Sequence, residues 1–234
     1  MKILALEASA TNASVAVTDG AKLLGEFYLH TGKTHSQTLM PMAENLLRSA
    51  DLKINDIDLI AVSKGPGSFT GLRIAIAAAK GLALGADKKC YGASTLPALA
   101  QNLSGFEGYA AAAMDARCGQ VYFALFELSN GKVTRLCEDC AISVEDAGKM
   151  LENKEKPVFL VGDGADLCYN KLLDKVPGLR LAPPHLRMHH ASSVAALAYE
   201  AVTADEAAAL SPDELLPAYL RLPQAERELL KKLK

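Results

Sequence analysis

The stretch of this sequence with the clearest chemical potential is a glycine-rich loop, Gly65-Pro66-Gly67-Ser68-Phe69-Thr70-Gly71. It lies between an apolar segment, residues 57–62, and a predicted helix, residues 72–86. Glycines at such a place let backbone N–H groups turn toward a ligand at the helix N-terminus. However, the loop lacks the lysine of a Walker A motif, and its Gly-x-Gly-x3-Gly spacing differs from the dinucleotide fingerprint. On shape alone, a tight strand-to-helix connection explains the loop better than a ligand site.

A nucleophile could be sought in Ser68 or Cys118, with a distant histidine such as His35 as the base. A hydrolase of this kind usually places its serine in a Gly-x-Ser-x-Gly elbow, which is not the context of Ser68. The residues therefore argue against a catalytic triad.

Two pairs of side chains could be considered as metal ligands. Cys137 and Cys140 form a single Cys-x2-Cys pair within a predicted strand, whereas a structural zinc site needs four ligands. His189 and His190 are adjacent in sequence, and neighbours rarely bind one ion together. We expect no metal site, two ordinary cysteines and two surface histidines.

The elements that would position the loop follow from apolar periodicity. Residues 3–9, 13–19 and 22–29 alternate apolar and polar positions, which predicts a three-strand meander. In residues 39–50 the apolar spacing is i, +3, +4, +7 and +8, which predicts a helix with one buried stripe. A helix follows the loop, then a strand near residues 90–92 and a helix at 95–103. The helix at 72–86 is rich in Ala and Gly, so it packs closely either inside its lobe or against another chain.

The pattern restarts near Ser104-Gly105. Strands are predicted at residues 109–114, 121–128, 133–142 and 158–161, and helices after 164, at 191–203 and at the C-terminus. This order is a shortened echo of the first half. We therefore predict an α/β protein with an N-terminal lobe at residues 1–104 and a C-terminal lobe at 105–234 that ends in a tail helix.

Composition restricts the class of function. Half of the residues are hydrophobic and 22% are charged, as in an ordinary globular protein, and the formal net charge is -2. This balance disfavours a stand-alone RNA-binding module, which would carry an excess of Lys and Arg. Five scattered cysteines favour reduced thiols, and the sequence offers neither a signal-peptide core nor 18 to 20 uninterrupted apolar residues. We expect a cytoplasmic protein without a membrane span.

Several motifs, taken in order, resemble the TsaB (YeaZ) family. They lie at residues 4–9, 14–17, 34–37, 65–74, 115–122 and 217–221. The run Gly-Pro-Gly-Ser-Phe-Thr-Gly-Leu-Arg at residues 65–73 is the most specific of them. The resemblance implies an actin-like ATPase (ribonuclease H-like) double lobe with a reduced second lobe. It also implies a role in forming N6-threonylcarbamoyladenosine in tRNA, next to the anticodon.

In that system the resemblance implies a division of labour among three proteins. A TsaD-type subunit transfers the threonylcarbamoyl group, a TsaE-type protein is an ATPase, and the TsaB-type subunit is the dimerisation partner of TsaD. TsaD-like proteins carry a metal-binding His-x3-His pair where this chain has Thr95 and Leu99. We therefore expect a non-catalytic scaffold subunit that needs no metal or cofactor and reaches tRNA only through the complex. Self-association as a homodimer, and ATP or ADP at a subunit junction, are further expectations.

The resemblance also assigns residues to two sites. Degenerate nucleotide-loop positions are expected at Glu7, Ser9, Gly65, Gly67, Ser68, Thr70, Gly71 and Arg73. TsaB-like proteins associate through two helices of the first lobe, so a partner interface is expected at Leu39, Met42, Leu46, Ile74, Ala78 and Leu82. The chain departs from the family pattern at Cys118, at Gln120 and in the segment Glu7-Ala8-Ser9. The alternative functions are a weak ATPase and a glycoprotease-like hydrolase of the M22 type.

Overall fold

The computed structural model describes residues 1–221, so the predicted C-terminal tail helix lies outside the described residues. The first half contains β1 (Lys2–Glu7), β2 (Ala13–Asp19), β3 (Lys22–Leu29), α1 (His35–Ser49), β4 (Leu59–Gly65), α2 (Phe69–Ala86), β5 (Lys89–Ser94) and α3 (Thr95–Gln101). The second half contains β6 (Gly108–Asp115), β7 (Gln120–Ser129), β8 (Lys132–Arg135), β9 (Cys140–Ser143), α4 (Val144–Leu151), β10 (Val158–Val161), α5 (Ala165–Leu172), β11 (Leu179–Leu181), α6 (Pro184–Arg187) and α7 (Ala191–Ala204).

Two sheets repeat one topology. The first has the strand order β3-β2-β1-β4-β5, with the meander antiparallel and β1, β4 and β5 parallel. The second has the order β8-β7-β6-β10-β11 with the same orientations, and β9 adds to β7. The predicted duplication and the actin-like double lobe are confirmed. The second lobe is reduced because its helices are shorter, not because elements are missing. Helices α1, α2 and α3 have 15, 18 and 7 residues, whereas their counterparts α4, α5 and α6 have 8, 8 and 4.

One predicted strand is wrong. Residues 133–142 form two short strands, β8 and β9, that pair with opposite ends of β7. Cys137 lies between them, where its sulfur accepts a hydrogen bond from the backbone N–H of Leu125 at 3.2 Å. Residues 136–139 therefore belong to neither strand, and Glu138 and Asp139 interrupt the apolar residues there.

The first sheet is buried on both faces. Leu4 and Leu6 of β1 face α1 and α2, whereas Ile3 and Ala5 face α7. Both alternating sets are apolar for this reason. Burial on both sides makes this sheet the rigid support for the loop at the end of β4.

Two helices lie over the sheet of the opposite half, so the predicted boundary between residues 104 and 105 does not divide the packing. Leu96, Leu99 and Leu103 of the α3 segment pack against the second sheet. Val194 and Ala198 of α7 pack against the first sheet. The order of elements in the sequence assigned each helix to the sheet of its own half. Each sheet, however, has an apolar face toward the other half, and a helix from that half packs against it.

Helix α2 combines an apolar composition with 18 residues, which by length and mean hydropathy, 1.3, would suit a membrane span. Leu72, Ala75 and Ala79 are nevertheless fully buried against the first sheet. Arg73 and Lys80 interrupt the apolar run. This pattern is that of a core helix with one exposed side.

Candidate functional site

A cleft of about 300 Å³ lies between the two sheets. From the first half it is lined by Ser9, Ala10, Thr11, Gly67, Ser68 and Phe69, and from the rest of the chain by Met114, Asp115, Ala116, Arg117, Tyr122, Asp163, Tyr219 and Arg221. Of the eight predicted nucleotide-loop positions, only Ser9, Gly67 and Ser68 line it. The cleft nevertheless lies beside the glycine-rich loop, at the N-terminus of α2.

The loop itself is closed by contacts within the chain. Ser68 donates its backbone N–H to the carbonyl of Ser9 at 2.7 Å, and the Ser68 hydroxyl accepts from the N–H of Gly71 at 3.3 Å. A Cβ at Gly67 would overlap the backbone of Ser9, and one at Gly71 would overlap the carbonyl of Ala8. The close approach of the β1–β2 turn is therefore sufficient to require glycine at both positions.

Gly65 allows a third close approach, to the segment that follows α7, residues 205–221, which we call the C-terminal tail. Its φ is +124°, and a Cβ there would overlap the carbonyl of Ala218. The N–H of Ala218 in turn donates to the carbonyl of Lys64 at 2.7 Å. The end of β4 is thus covered by the tail.

The carboxylate of Glu7 is also fully engaged. Glu7 is 1% exposed, and it accepts hydrogen bonds from the backbone N–H of Ser9 at 2.6 Å and from the hydroxyl of Ser63. Both oxygens are therefore bonded within the first sheet.

Arg73 and Thr70 lie outside the cleft. The Arg73 guanidinium lies 3.9 Å from the ring centroid of Phe69 and donates to the hydroxyl of Tyr219 at 3.0 Å. Phe69 and Tyr219 are in turn tilted against each other at 5.1 Å. Thr70 is exposed. Arg73 therefore fastens the tail to α2.

The opposite wall carries charges that sequence reasoning missed. Asp163 follows β10, and its carboxylate accepts a long hydrogen bond, 3.4 Å, from the N–H of Asp115. Burial raises the pKa of Asp163, although the nearby charge of His189 acts in the opposite direction. Arg117 pairs with Asp115 at 3.4 Å, and Arg221 donates to the carbonyl of Ala116 at 2.9 Å. The available signal was an acidic residue directly after a buried strand in both sheets, Glu7 and Asp115.

The expected surface histidines are a wrong prediction. His189 is 2% exposed, and neither ring nitrogen has a hydrogen-bond partner among residues 1–221. His190 is half-buried, donates to Glu26 at 3.3 Å and to the carbonyl of His185 at 2.9 Å, and stacks on Tyr28. Both lie beneath α7 because that helix crosses to the first sheet.

The nucleophile hypothesis gains no geometric support. Ser68 uses its hydroxyl to cap α2, and in the part of the chain described no histidine is bonded to it. The His35 ring is bonded to the carbonyl of Ala10 at 2.8 Å. Within the same range, no group of three His, Cys, Asp or Glu side chains is placed to hold a metal ion.

Comparison with known proteins identifies the family. The family model described as TsaD, tRNA N6-adenosine threonylcarbamoyltransferase, matches residues 29–228. The chain is 33% identical over 228 residues to the tRNA threonylcarbamoyladenosine biosynthesis protein TsaB of Bacillus subtilis, covering 97% of this chain and 96% of that one. The chain belongs to the TsaB (YeaZ) family. The TsaB of Escherichia coli is 39% identical over 129 residues, which covers 54% of this chain and 55% of that protein.

A solved structure agrees with this membership. YeaZ from Pseudomonas aeruginosa superimposes with a TM-score of 0.78 at 29% identity, covering 94% of this chain and 99% of that one. The recognition from residues 65–73 and the accompanying motifs is thereby confirmed.

In this TsaB-family chain the six predicted interface residues divide into two sets. Leu39, Met42 and Leu46 of α1 are 1–5% exposed and belong to the core of the first sheet, so their assignment to a partner surface is wrong. The apolar stripe of α1 packs against the first sheet of the same chain. Ile74, Ala78 and Leu82 of α2 are half-buried and border the exposed side of that helix.

Proposed function

We propose that this chain is a non-catalytic subunit in tRNA threonylcarbamoyladenosine biosynthesis, and that it acts in the cytoplasm by binding and activating a TsaD-type transferase. Membership of the TsaB family supports the pathway, because the relatives of B. subtilis and E. coli carry that name. The match to the TsaD family model supports common ancestry with the transferase, and related subunits often pair through equivalent surfaces.

The observation that carries the non-catalytic role is the closure of the loop region. Glu7 is bonded to Ser9 and Ser63, and the Ser68 N–H is bonded to Ser9. A nucleotide site of the ancestral kind would need the carboxylate and the amides of this loop to face the ligand. Here the Glu7 carboxylate is bonded to Ser9 and Ser63, and the amides of Ser68 and Gly71 are bonded to the Ser9 carbonyl and the Ser68 hydroxyl, so these groups are already engaged within the chain.

The positions where the family resemblance implies the metal ligands of the transferase, Thr95 and Leu99, support the same role. Thr95 is fully buried at the start of α3, and Leu99 packs in the core of the second sheet. Neither side chain can ligate a transition metal in that position. The proposed subunit therefore requires no cofactor of its own.

The proposed partner surface is the exposed side of α2. Ala77, Gly81, Leu84 and Gly85 are exposed along it, and the Leu84 side chain is 63% exposed. They recur at i, +4, +7 and +8, which places them on one side of the helix. Small residues at this spacing let a second helix approach closely, so the surface suits a helix of the transferase or a second copy of this chain.

Reconstitution tests the proposal. The chain, a TsaD-type transferase and a TsaE-type ATPase from one organism are mixed with tRNA and an adenylated threonylcarbamoyl donor, and modified adenosine is measured. The chain alone is expected to show no transfer, and its omission is expected to abolish transfer by the other two. Full activity without this chain would contradict the proposal.

The partner surface is tested in the same assay. Ala77→Arg places a long charged side chain on the α2 surface and is expected to reduce both complex formation and transfer, whereas Lys53→Ala, on an exposed turn, is a matched control.

Size-exclusion chromatography with and without ATP or ADP determines whether a nucleotide stabilises the subunit junction and whether the transferase displaces a homodimer. Turnover of ATP or of a glycoprotein by the isolated chain, abolished by Glu7→Gln, would instead support the enzymatic alternatives.

A further inference from the structure

The cleft contains a buried hydroxyl without a partner. Ser9 is 1% exposed, its side chain lines the cleft, and its Oγ has no hydrogen-bond partner within residues 1–221. A buried polar atom without a partner costs stability in proportion to the lost hydrogen bond. A retained hydroxyl in this position indicates a polar group that binds in the cleft.

The opposite wall carries both signs of charge. Asp163 is largely buried and, among the described residues, makes no ion pair. Within residues 1–221, the hydrogen bond that its carboxylate accepts is the 3.4 Å bond from the N–H of Asp115. On the same wall, the Arg117 side chain is 77% exposed and pairs with Asp115 at 3.4 Å, and Arg221 also lines the cleft.

We propose that the cleft binds a small zwitterion of the α-amino acid class, with its ammonium group on Asp163, its carboxylate toward Arg117 and Arg221, and a polar group against Ser9. The ammonium compensates the buried carboxylate of Asp163, and the carboxylate completes the pairing of the two guanidinium groups. The cleft volume of about 300 Å³ is enough for an amino acid.

A polyphosphate fits this wall less well. Asp115 and Asp163 would lie against its negative charges, and no group of three ligand side chains among residues 1–221 is placed to hold a bridging metal ion. Two amides of the loop, those of Ser68 and Gly71, are also bonded within the chain, as described above. Charge complementarity thus favours a ligand with both signs over one with only negative charge.

Isothermal titration calorimetry with the twenty L-α-amino acids, one at a time, tests the inference on the full chain. At least one is expected to bind, whereas methylammonium and acetate, which each carry one of the two charges, are expected to bind at least about tenfold more weakly. ATP and ADP are titrated in parallel. The inference is overturned if no amino acid binds, or if a nucleotide binds and no amino acid competes with it.

Variants locate the bound ligand. Asp163→Asn keeps the shape and removes the charge, and it is expected to weaken binding by about tenfold or more. Asp174→Asn changes an exposed aspartate elsewhere and is expected to leave the affinity unchanged. Arg117→Gln is a second variant, at an exposed position outside the core, and it is also expected to weaken the affinity for the amino acid. The site can therefore be tested even if Asp163→Asn fails to fold. Unchanged affinity in Arg117→Gln and in folded Asp163→Asn would place the ligand elsewhere and refute the site.

Discussion

The carboxylate of Glu26, on β3, accepts hydrogen bonds from both the backbone N–H and the hydroxyl of Ser192, at 3.1 and 2.8 Å. Ser192 lies in the first turn of α7, 166 residues further along the chain. The first N–H groups of a helix have no partner within it, so this carboxylate caps α7 and complements its dipole. His190 donates to the same carboxylate at 3.3 Å. The cluster fastens a helix from the second half to the first sheet.

Glu26→Gln should therefore destabilise the protein. The Glu26 side chain is 15% exposed, and the substitution replaces its carboxylate with a neutral amide. His190 and the first turn of α7 then lose their negatively charged partner. We expect the free energy of unfolding to fall by on the order of 3 kcal/mol, as for a broken buried ion pair. Chemical denaturation followed by circular dichroism measures the change. Glu44→Gln, on the exposed side of α1, is the matched control, and an equal loss in both variants would contradict the assignment.

The same pair predicts a pH dependence. Burial would raise the pKa of Glu26, but the hydrogen bonds from His190 and Ser14 and the charge of His190 lower it from 4.5 to about 2. Burial would lower the pKa of His190, but its hydrogen bond to Glu26 and the Glu26 charge raise it above 6.5. The Glu26 contribution is present above about pH 4.5 and is lost as the pH falls toward 2. The His190 contribution is present below pH 6.5 and is lost as the pH rises through its raised pKa.

The difference in unfolding free energy between wild type and Glu26→Gln should thus be largest between about pH 4.5 and 6.5. Denaturation curves at a series of pH values measure it. A difference that stays constant from pH 3 to pH 9 would show that the pair is not ionised as described.

The glycine loop gives a third prediction. At Gly71 an added Cβ would overlap the backbone carbonyl of Ala8, which cannot move without shifting the β1–β2 turn. We expect Gly71→Ala to lower the free energy of unfolding by about 1–3 kcal/mol, as for an overpacked core. Gly105→Ala, where no atom lies within 4 Å of the added Cβ, is the control and should change stability by less than about 0.5 kcal/mol. Equal stability of the two variants would mean that the loop does not contact the turn.

The surface and the core of the first lobe give a contrasting pair. Leu46→Ala should cost about 2–5 kcal/mol of stability because Leu46 is 3% exposed in the core. Ala77→Arg, on the exposed side of α2, should change the stability of the isolated chain by about 0.5 kcal/mol or less and weaken only its association with a partner. Thermal unfolding and analytical ultracentrifugation separate the two effects. A stable Leu46→Ala variant with lost association would restore Leu46 to the interface.

The order of elements and the place of the glycine-rich loop between β4 and α2 could be predicted because they depend on local patterns. The short runs rich in apolar residues in β1 and β2, the stripe in α1 and the glycines after β4 each report local geometry. The stripe of α1 also showed correctly which side is buried, but not that the chain itself provides the cover. Periodicity identifies a buried face and not the molecule that buries it.

The residues that were missed depend on contacts distant in sequence. Asp163 is distinguished from other aspartates by its burial, which raises its pKa. His189 is distinguished by its place before α7, which packs against the first sheet. Similarly, Gly67 and Gly71 belong to the predicted loop, but their close contacts are with Ala8 and Ser9, some 60 residues earlier. No local pattern in the sequence specifies such approaches.

Cysteine reactivity provides a final test of the packing. Burial raises the pKa of Cys168 to about 12 and that of Cys90 to about 11, with nearby lysines acting only weakly in the opposite direction. Both thiols are 0% exposed, whereas Cys118 is exposed in the turn between β6 and β7. Since the thiolate is the reactive form, iodoacetamide at pH 8 should modify Cys118 first and leave Cys90 and Cys168 unmodified in the folded protein. Peptide mass spectrometry after timed quenching measures the three rates, and denatured protein serves as the control in which all three should react. Modification of native Cys168 as fast as Cys118 would contradict the burial of α5 against the second sheet.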